Sequence, residues 1–262
     1  MNDIETRHVA SATFARKAQR YITETLATPD FALAIKTKTS RTDMVTQVDK
    51  AVENLLAAQI TDAFPADRIV GEEFGTSGGG GRYEWVVDPI DGTTNFVYGF
   101  PAYAISIAIR DTQSGQTVSG VVLDLARDRL YEATLGGGAM ANSVPIQVTD
   151  QDRLSNSLIA TGFSYSDEMR VAQGRVIAAI LGNIRDIRRA GAASIDLCMV
   201  AAGELDGYYE SGLWPWDYLA GALVVTEAGG SVSGGEEPEP SGTMLVASNG
   251  KIHQDLRLAI RL

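Results

Sequence analysis

The chain contains 262 residues, of which 45% are hydrophobic and 21% are charged, and this composition is typical of a soluble globular protein. Its formal net charge is −11, which argues against a nucleic-acid-binding groove because no basic face offsets the acidic residues. Cys198 is the only cysteine, so an internal disulfide is excluded.

The same features indicate a reducing compartment and disfavour several kinds of active site. A lone cysteine favours the cytoplasm, and residues 1–27 predict an amphipathic helix rather than a signal peptide. No apolar run approaches the ~20 residues that a membrane helix needs. The two histidines, His8 and His253, are predicted to lie on the surface near the chain ends. Ser-His-Asp catalysis and a His-rich zinc site are therefore disfavoured.

The first part of the chain predicts two helices followed by a strand. Apolar spacing predicts helices over residues 5–26 and 47–64, with an exposed loop or hairpin over residues 36–46 between them. A short strand begins at residue 68 and stops at a pair of glutamates. The glycine-rich residues 76–82 predict a flexible loop, because the Gly-Lys-Ser/Thr ending of a P-loop is missing.

The middle of the chain is rich in predicted strands, and the last part alternates strands with helices. Strands are predicted over residues 83–88, 103–110, 157–163 and 206–210, with two more in 116–134 and helices over 167–181, 191–203 and 216–230. This order predicts an α/β fold. The change from consecutive strands to alternating strands and helices predicts two halves, residues 1–148 and residues 149–262.

Two aspartates stand three residues apart at the end of a predicted buried strand, in WVVDPIDGTTNF. A turn capped by aspartate side chains explains either of them alone. Asp88 and Asp91 together would repel each other unless a cation lies between them. The residues that follow, Gly92, Thr93 and Thr94, would offer free backbone N–H groups to an anion if a helix or turn begins there. A combined metal and phosphate site explains both features, whereas a turn explains only the aspartates.

Further carboxylates are candidates for the same site. Glu72 and Glu73 end the preceding predicted strand, where a solvated loop is the alternative for Glu73. Asp217 lies at the start of a predicted helix in LWPWDYLAG, where a helix N-cap is the alternative. Carboxylate ligands without histidine or cysteine suit Mg²⁺ or Mn²⁺ rather than zinc. Bound metal ions would also let an acidic chain take up a phosphate.

Three stretches of the sequence together resemble the signatures of the inositol monophosphatase family. They are GEE, WVVDPIDGTTNF and WPWDYLAGALVVTEAGG, and the likeness extends over almost the whole chain. Residues 188–217, RRAGAASIDLCMVAAGELDGYYESGLWPWD, are especially similar to the bacterial SuhB-type branch. The resemblance implies a layered αβαβα sandwich and a homodimer. It also implies a Mg²⁺-dependent, lithium-sensitive phosphomonoesterase whose N-terminal half holds metal and phosphate and whose C-terminal half completes the site.

The resemblance implies metal-binding and catalytic roles for individual residues. Glu72, Asp88 and the backbone carbonyl of Ile90 would bind one metal ion. Asp88, Asp91 and Asp217 would bind a second, and a weaker third ion would use Glu72 again. Thr93, paired with Glu72, would orient and help to deprotonate the attacking water.

The substrate-binding residues follow from the same resemblance. Gly92, Thr93 and Thr94 would hold phosphate oxygens, and Gly191, Ala193, Glu210 and Asp217 would line the pocket for an inositol or sugar. Inositol 1-phosphate is the favoured substrate, since relatives acting on nucleotide 3′-phosphates or histidinol phosphate commonly have lysine at the position of Thr94. Fructose-1,6-bisphosphatase activity remains an alternative. So does a SuhB-like, non-catalytic role beside the transcription machinery, although the acidic charge disfavours direct RNA contact.

The only cysteine, two tryptophans and several basic residues could be either structural or functional. Cys198 is predicted to be a buried structural thiol, because it lies in an apolar helix. Trp214 and Trp216 are predicted to be packing residues rather than a platform for a sugar. Lys38 matches a family lysine near the metal site, with a solvated loop lysine as the alternative. Arg188 and Arg189 could reach the substrate or a subunit interface.

Overall fold

Seven α-helices and fifteen β-strands make up the described part of the chain, residues 2–38 and 44–261, in this computed structural model. The helices are α1 (Asp3–Leu26), α2 (Gln47–Ala63), α3 (Thr93–Tyr98), α4 (Asp167–Ile180), α5 (Ala193–Ala201), α6 (Pro215–Glu227) and α7 (His253–Ala259). The strands are β1 (Ile35–Thr37), β2 (Met44–Thr46), β3 (Arg68–Gly71), β4 (Gly75–Gly78), β5 (Tyr83–Asp91), β6 (Ala104–Asp111), β7 (Thr117–Asp124), β8 (Arg129–Thr134), β9 (Ala139–Ala141), β10 (Val144–Pro145), β11 (Leu158–Thr161), β12 (Asp186–Arg188), β13 (Gly207–Glu210), β14 (Ser231–Ser233) and β15 (Leu245–Ser248).

Two large sheets contain the strands from β3 onward. The first is built from β3 to β10 and the second from β11 to β15. Eight strands form the first sheet in the order β10-β9-β8-β7-β6-β5-β3-β4, with β3 and β5 parallel and the other neighbours antiparallel. Five strands form the second sheet in the order β12-β11-β13-β15-β14. The first sheet ends at Pro145 and the second begins at Leu158.

The helices cover both faces of each sheet, so the chain has five layers. On the outer face of the first sheet, α1 and α2 bury Phe14, Val52 and Leu56 against Trp85 and Ile107. Between the sheets, α5 and α6 are apolar on almost all sides and fill one continuous core. On the far face of the second sheet, α4 and α7 complete the stack. The predicted αβαβα sandwich is therefore confirmed.

The N-terminal segments are close to the prediction. Asn2 caps α1 through hydrogen bonds to the backbone N–H groups of Ile4 and Glu5, so the helix begins at Asp3, two residues earlier than predicted. Strands β1 and β2 pair antiparallel, which confirms a hairpin, and residues 39–43 between them lie outside the described residues.

The structure corrects two predictions. The glycine-rich residues 76–82 do not form only a loop, since β4 pairs there with β3 at the sheet edge. His8 and His253 are only partly exposed, and both bond to serine hydroxyls through ring nitrogens, as between His253 and Ser248 at 3.0 Å. Within the described residues, none of the helices has the length and apolar character needed to cross a membrane.

Candidate active site

The end of β5 places two carboxylates in one cavity by means of a bulge. Residues three apart in a regular strand face opposite sides of the sheet. The pairing of β5 with β6 shifts register between Asp88 and Asp91, so the strand bends there and both side chains reach the same cavity. Asp88 accepts a hydrogen bond from the backbone N–H of Ile90 at 2.9 Å. Asp91 accepts from the backbone N–H of Ser194 at 2.8 Å and from its hydroxyl at 2.5 Å.

A short helix follows the bulge at once, as the sequence pattern predicts. Gly92 precedes α3 with φ of +88°, and a Cβ at this position would lie 2.8 Å from the carbonyl oxygen of Ala102. Only glycine fits this left-handed, crowded position without strain. The chain can therefore turn sharply from the carboxylates of β5 into the backbone N–H groups at the start of α3.

The hydroxyl of Thr93 is bound to a residue that the sequence analysis missed. It lies 2.9 Å from Oδ1 of Asp49 and 3.1 Å from the carbonyl oxygen of Ile90, and it can donate to either. The family resemblance pairs Thr93 with Glu72 in activating water, and that catalytic role remains a prediction, while the hydrogen bonds that the structure gives to the Thr93 hydroxyl are those to Asp49 and Ile90. Asp49 is fully buried in the first turn of α2, where its other oxygen accepts from the N–H and hydroxyl of Thr46. The signal was present in VTQVD, where Thr46 and Asp49 form a capping box.

Glu72 lies beside Lys38 at the end of β3. The ammonium of Lys38 lies 2.8 Å from a carboxylate oxygen of Glu72 and also pairs with Glu73. Burial raises the pKa of Glu72 to about 7, and the Lys38 charge offsets part of that effect. Burial lowers the pKa of Lys38, but the two glutamates together raise it above its usual value. Lys38 therefore lines the cavity, although the residue lies in an exposed bend after β1.

Glu73, the residue after Glu72, is held in place by a contact with α2. Its backbone N–H donates to Oε2 of Glu53 at 2.8 Å, and Glu53 is almost fully buried on α2. Gly71 leaves the room for this contact, because a Cβ there would lie 1.6 Å from Oε1 of Glu53. Burial raises the pKa of Glu53 to about 7. The solvated-loop alternative for Glu73 is therefore wrong.

Asp217 reaches the cavity from the first turn of α6. The backbone N–H of Trp214, the residue before the helix, donates to Oδ2 of Asp217 at 2.6 Å. Pro215 occupies the first position of the helix, where its missing N–H is not needed. Asp217 thus contributes to the helix cap from the third position of α6 and also lines the cavity, and its role as a metal ligand remains a prediction.

The carboxylates interact electrostatically across the cavity. Burial raises the pKa of Asp88 well above its usual value, and the charges of Glu72, Asp91 and Asp217 raise it further. Burial also raises the pKa of Asp217, with Asp91 as the next cause. The pKa of Asp91 is raised by burial and partly lowered again by its bonds to Ser194. A cation among these groups would relieve both the repulsion and the loss of hydration.

The donor set fits a hard divalent cation in its chemistry. All the donors are carboxylate or carbonyl oxygens, which Mg²⁺ prefers. In residues 2–38 and 44–261, however, no three His, Cys, Asp or Glu side chains are arranged as a complete metal-binding group. One oxygen each of Asp88, Asp91 and Asp217 accepts a hydrogen bond from the protein instead. The carboxylates thus share one cavity without converging on a single point.

The cavity has a volume of about 310 Å³, and it gathers nearly all the predicted site residues. Those that line it are Glu72, Asp88, Ile90, Asp91, Gly92, Thr93, Gly191, Ala193, Glu210 and Asp217. Thr94 lines an adjoining pocket instead, together with Gly92 and Gly191. The roles assigned to these residues remain predictions.

Glu210 and Arg189 also line the cavity. The Tyr208 hydroxyl donates to Oε2 of Glu210 at 2.6 Å, and burial raises the pKa of Glu210 to about 7. Gly162 allows this position, because a Cβ there would lie 1.8 Å from Oε2 of Glu210. The Arg189 guanidinium lies 5.5 Å from the centroid of the Phe163 ring, so Arg189 faces the pocket.

Two of the remaining interpretations can be compared with the structure. Cys198 is buried in α5, as predicted, and burial raises the pKa of its thiol. Trp214 is not a packing residue of the core, since 62% of it is exposed at the rim of the cavity. The sequence analysis also missed Ser164, Tyr165 and Leu213, which line the same rim.

Comparison with known proteins identifies a family and close relatives. The inositol monophosphatase family matches residues 3–261. The inositol-1-monophosphatase SuhB of Mycobacterium tuberculosis is 46% identical over 208 residues, covering 76% of this chain and 71% of the relative. The Nus factor SuhB of Escherichia coli K12 is 40% identical over 221 residues, covering 84% and 81%. The structure of an inositol monophosphatase from Anabaena superposes with a TM-score of 0.85 at 32% identity, covering 99% and 96%.

Proposed function

Because this chain belongs to the inositol monophosphatase family, we propose that it is a Mg²⁺-dependent phosphomonoesterase acting on inositol 1-phosphate or a related polyol or sugar phosphate. The observation that supports this most strongly is that Glu72, Asp88, Asp91 and Asp217 line one cavity beside the start of α3. Members of this family are generally metal-dependent. The reaction is the attack of water on phosphorus with release of the alcohol.

The metal-binding residues follow from the donor chemistry and from the family. Glu72, Asp88 and the carbonyl of Ile90 would hold one Mg²⁺, and Asp88, Asp91 and Asp217 a second, with Glu72 available to a weaker third ion. Such ions lower the pKa of a bound water and stabilise negative charge on phosphate and leaving oxygen. Mn²⁺ is the expected substitute, because it accepts the same oxygen ligands.

Thr93 and Asp49 can accept the proton that the attacking water loses. When the Thr93 hydroxyl donates to Asp49, its lone pairs remain able to accept a proton from water. As water attacks, its proton passes to Oγ1 of Thr93 and the hydroxyl proton passes to Oδ1 of Asp49. Burial raises the pKa of Asp49, partly offset by its hydrogen bonds, which favours the protonated form that this transfer produces.

The other residues of the cavity position the substrate. The backbone N–H groups of Gly92, Thr93 and Thr94 would donate to phosphate oxygens. Glu210 would accept hydrogen bonds from hydroxyls of the alcohol, while Tyr208 holds its carboxylate in place at 2.6 Å. Gly191 and Ala193 leave space for a ring next to Glu210.

The test is release of inorganic phosphate from inositol 1-phosphate by chelator-treated protein with and without added Mg²⁺. Activity should be absent with chelator and should return with Mg²⁺. Asp88→Asn should remain inactive, whereas Glu237→Gln, which removes a charge from an exposed loop, should behave as the parent. Full activity in excess chelator would overturn the metal mechanism.

A panel with fructose 1,6-bisphosphate, a nucleotide 3′-phosphate and histidinol phosphate would identify the substrate. Faster hydrolysis of fructose 1,6-bisphosphate than of inositol 1-phosphate would favour the fructose-1,6-bisphosphatase alternative.

The proposal also includes the oligomeric state of the protein and its cellular compartment. We expect a cytoplasmic homodimer, and light scattering after size-exclusion chromatography should give twice the chain mass of 27.9 kDa. A mass equal to that of one chain would contradict this expectation.

A second candidate function is a partner role in transcription. It is favoured by the 40% identity to a relative named Nus factor SuhB. The role would be independent of catalysis, so a tagged Asp88→Asn protein should still retain RNA polymerase from a cell extract. No retention by the parent would argue for the enzyme alone, and loss of retention only in the inactive variant would contradict a role independent of catalysis.

A further inference from the structure

The exposed indole of Trp214 has no role in the proposed chemistry and lies at the mouth of the active-site cavity. Its ring stacks on Trp216, with centroids 5.5 Å apart and planes inclined by 11°. Despite this contact, 62% of Trp214 remains exposed. The cap of α6 needs only the backbone N–H of this residue, which donates to Asp217. A large aromatic ring held at a cavity rim is typical of a ligand-binding surface.

The pair is fixed to the body of the protein. The carbonyl oxygen of Trp216 accepts a hydrogen bond from the hydroxyl of Ser106 in β6 at 3.0 Å. Pro215, between the two tryptophans, restricts the backbone at the start of α6. The stacked rings therefore form a preorganised wall, and little conformational entropy would be lost when a ligand packs against it.

A second cleft continues outward from the cavity beyond this wall. It has a volume of about 840 Å³, against about 310 Å³ for the cavity that contains the carboxylates. The two share five lining residues, namely Ser164, Tyr165, Gly212, Leu213 and Trp214. The cleft is therefore continuous with the site where the alcohol part of a phosphate ester would lie.

The lining of the outer cleft indicates what it can bind. Its other lining residues are Ser166, Met169, Pro215, Tyr218, Pro240, Ser241 and Gly242. None of its described lining residues is charged, in contrast to the carboxylates, Lys38 and Arg189 of the inner cavity. One side is held by the backbone, since the N–H of Gly212 donates to the carbonyl oxygen of Gly242 at 2.8 Å. An uncharged, apolar group fits this surface, and a charged group would lose hydration there without gaining an opposite charge.

We propose that the Trp214–Trp216 pair and the outer cleft form a subsite for an apolar, ring-bearing extension of the alcohol part of the substrate. This inference rests on the proposed phosphatase function and adds a preference to it. The phosphate and the ester oxygen would occupy the inner cavity, while the extension stacks on Trp214 and displaces water from the cleft.

Two esters with similar leaving groups provide the test. Propyl phosphate and 3-phenylpropyl phosphate both release a primary alcohol, so the difficulty of the chemical step is similar, and only one carries a ring. The parent protein with Mg²⁺ should favour the phenyl ester by roughly 10-fold in kcat/KM, from ring stacking and apolar burial. Trp214→Ala should remove most of that ratio and Trp214→Phe should retain part of it. Phe100→Ala, which alters an exposed aromatic outside these cavities, should leave the ratio unchanged.

Binding measurements separate this inference from the proposed function. Calorimetric titration of propylphosphonate and 3-phenylpropylphosphonate, which are not hydrolysed, should show the same preference and the same loss in Trp214→Ala. If neither ester nor inositol 1-phosphate is hydrolysed, the proposed function fails, and the ratio of the two phosphonate Kd values still decides the subsite. Equal Kd values in the parent would overturn the subsite. A ratio of the two Kd values that is the same in the parent and in Trp214→Ala would overturn it as well. A substitution that changes the oligomeric state and not this ratio would indicate that a second copy of the chain covers the cleft, and it would also overturn the subsite.

Discussion

Replacing Glu72 with glutamine should have opposite effects on catalysis and on the stability of the metal-free protein. The pKa of Glu72 rises from 4.5 to about 7, chiefly through burial. The folded state thus holds this proton more tightly than the unfolded chain does. The resulting loss of stability is absent below pH 4.5 and grows as the pH rises through about 7. Its full size is roughly 3 kcal/mol, of which about 2–3 kcal/mol develops between pH 5 and pH 8.

Glutamine at this position cannot ionise, so Glu72→Gln should lose this dependence while Lys38 keeps its ion pair with Glu73. Urea unfolding in chelator at pH 5 and pH 8 gives the free energy of unfolding for parent and variant. We expect the variant to gain most at pH 8 and little at pH 5, and to lose phosphatase activity at both. Glu237→Gln controls for the removal of one exposed negative charge. An equal change between pH 5 and pH 8 in parent and Glu72→Gln would refute the reasoning.

Four further predictions address the site. Asp88→Asn should nearly abolish phosphate release yet leave the metal-free Tm unchanged or higher, since a crowded, desolvated charge is removed; an active or unfolded variant would contradict this. Thr93→Ala should lower kcat by ~10²–10⁴-fold with little change in calorimetric Mg²⁺ affinity, and parental kinetics would exclude the proton-transfer role. Gly162→Ala should reduce kcat/KM for inositol 1-phosphate by roughly 10–100-fold, mainly through KM, because its Cβ would displace Glu210. Ca²⁺ and Li⁺ should inhibit the Mg²⁺-activated enzyme, and complete indifference to Li⁺ would argue against the lithium-sensitive branch.

Local patterns in the sequence predicted most of the helices and strands and the carboxylates at the end of β5, whereas the layered sandwich and most other residues of the cavity were predicted from the family resemblance. Helical periodicity located α2 and α6, and the two aspartates of β5 were recognisable because a buried strand rarely ends in paired charges without a cation. The sequence did not indicate how both could face one cavity. That depends on the register shift between Asp88 and Asp91, which is a property of the pairing with β6 and not of β5 alone.

The residues that were missed are defined by long-range contacts. Asp49 reads as an ordinary helix-capping residue, and its bond to Thr93 exists only because α2 packs beside the end of β5. Trp214 reads as a packing residue because tryptophan is usually buried. Its exposure follows from its place just before α6, where the backbone is fixed by Asp217 and the side chain faces the cleft.

The five-layer stack determines when the site can exist during folding. Asp88 comes from the first sheet, Asp217 from a helix between the sheets, and Glu210 from the second sheet. Closing such long loops is slow and entropically costly, so these groups meet only when the two sheets dock against α5 and α6. During refolding, phosphatase activity should therefore return later than the far-UV circular dichroism signal of the secondary structure and later than the fluorescence change that reports tryptophan burial. In mild denaturant it should be lost before either half of the chain has unfolded.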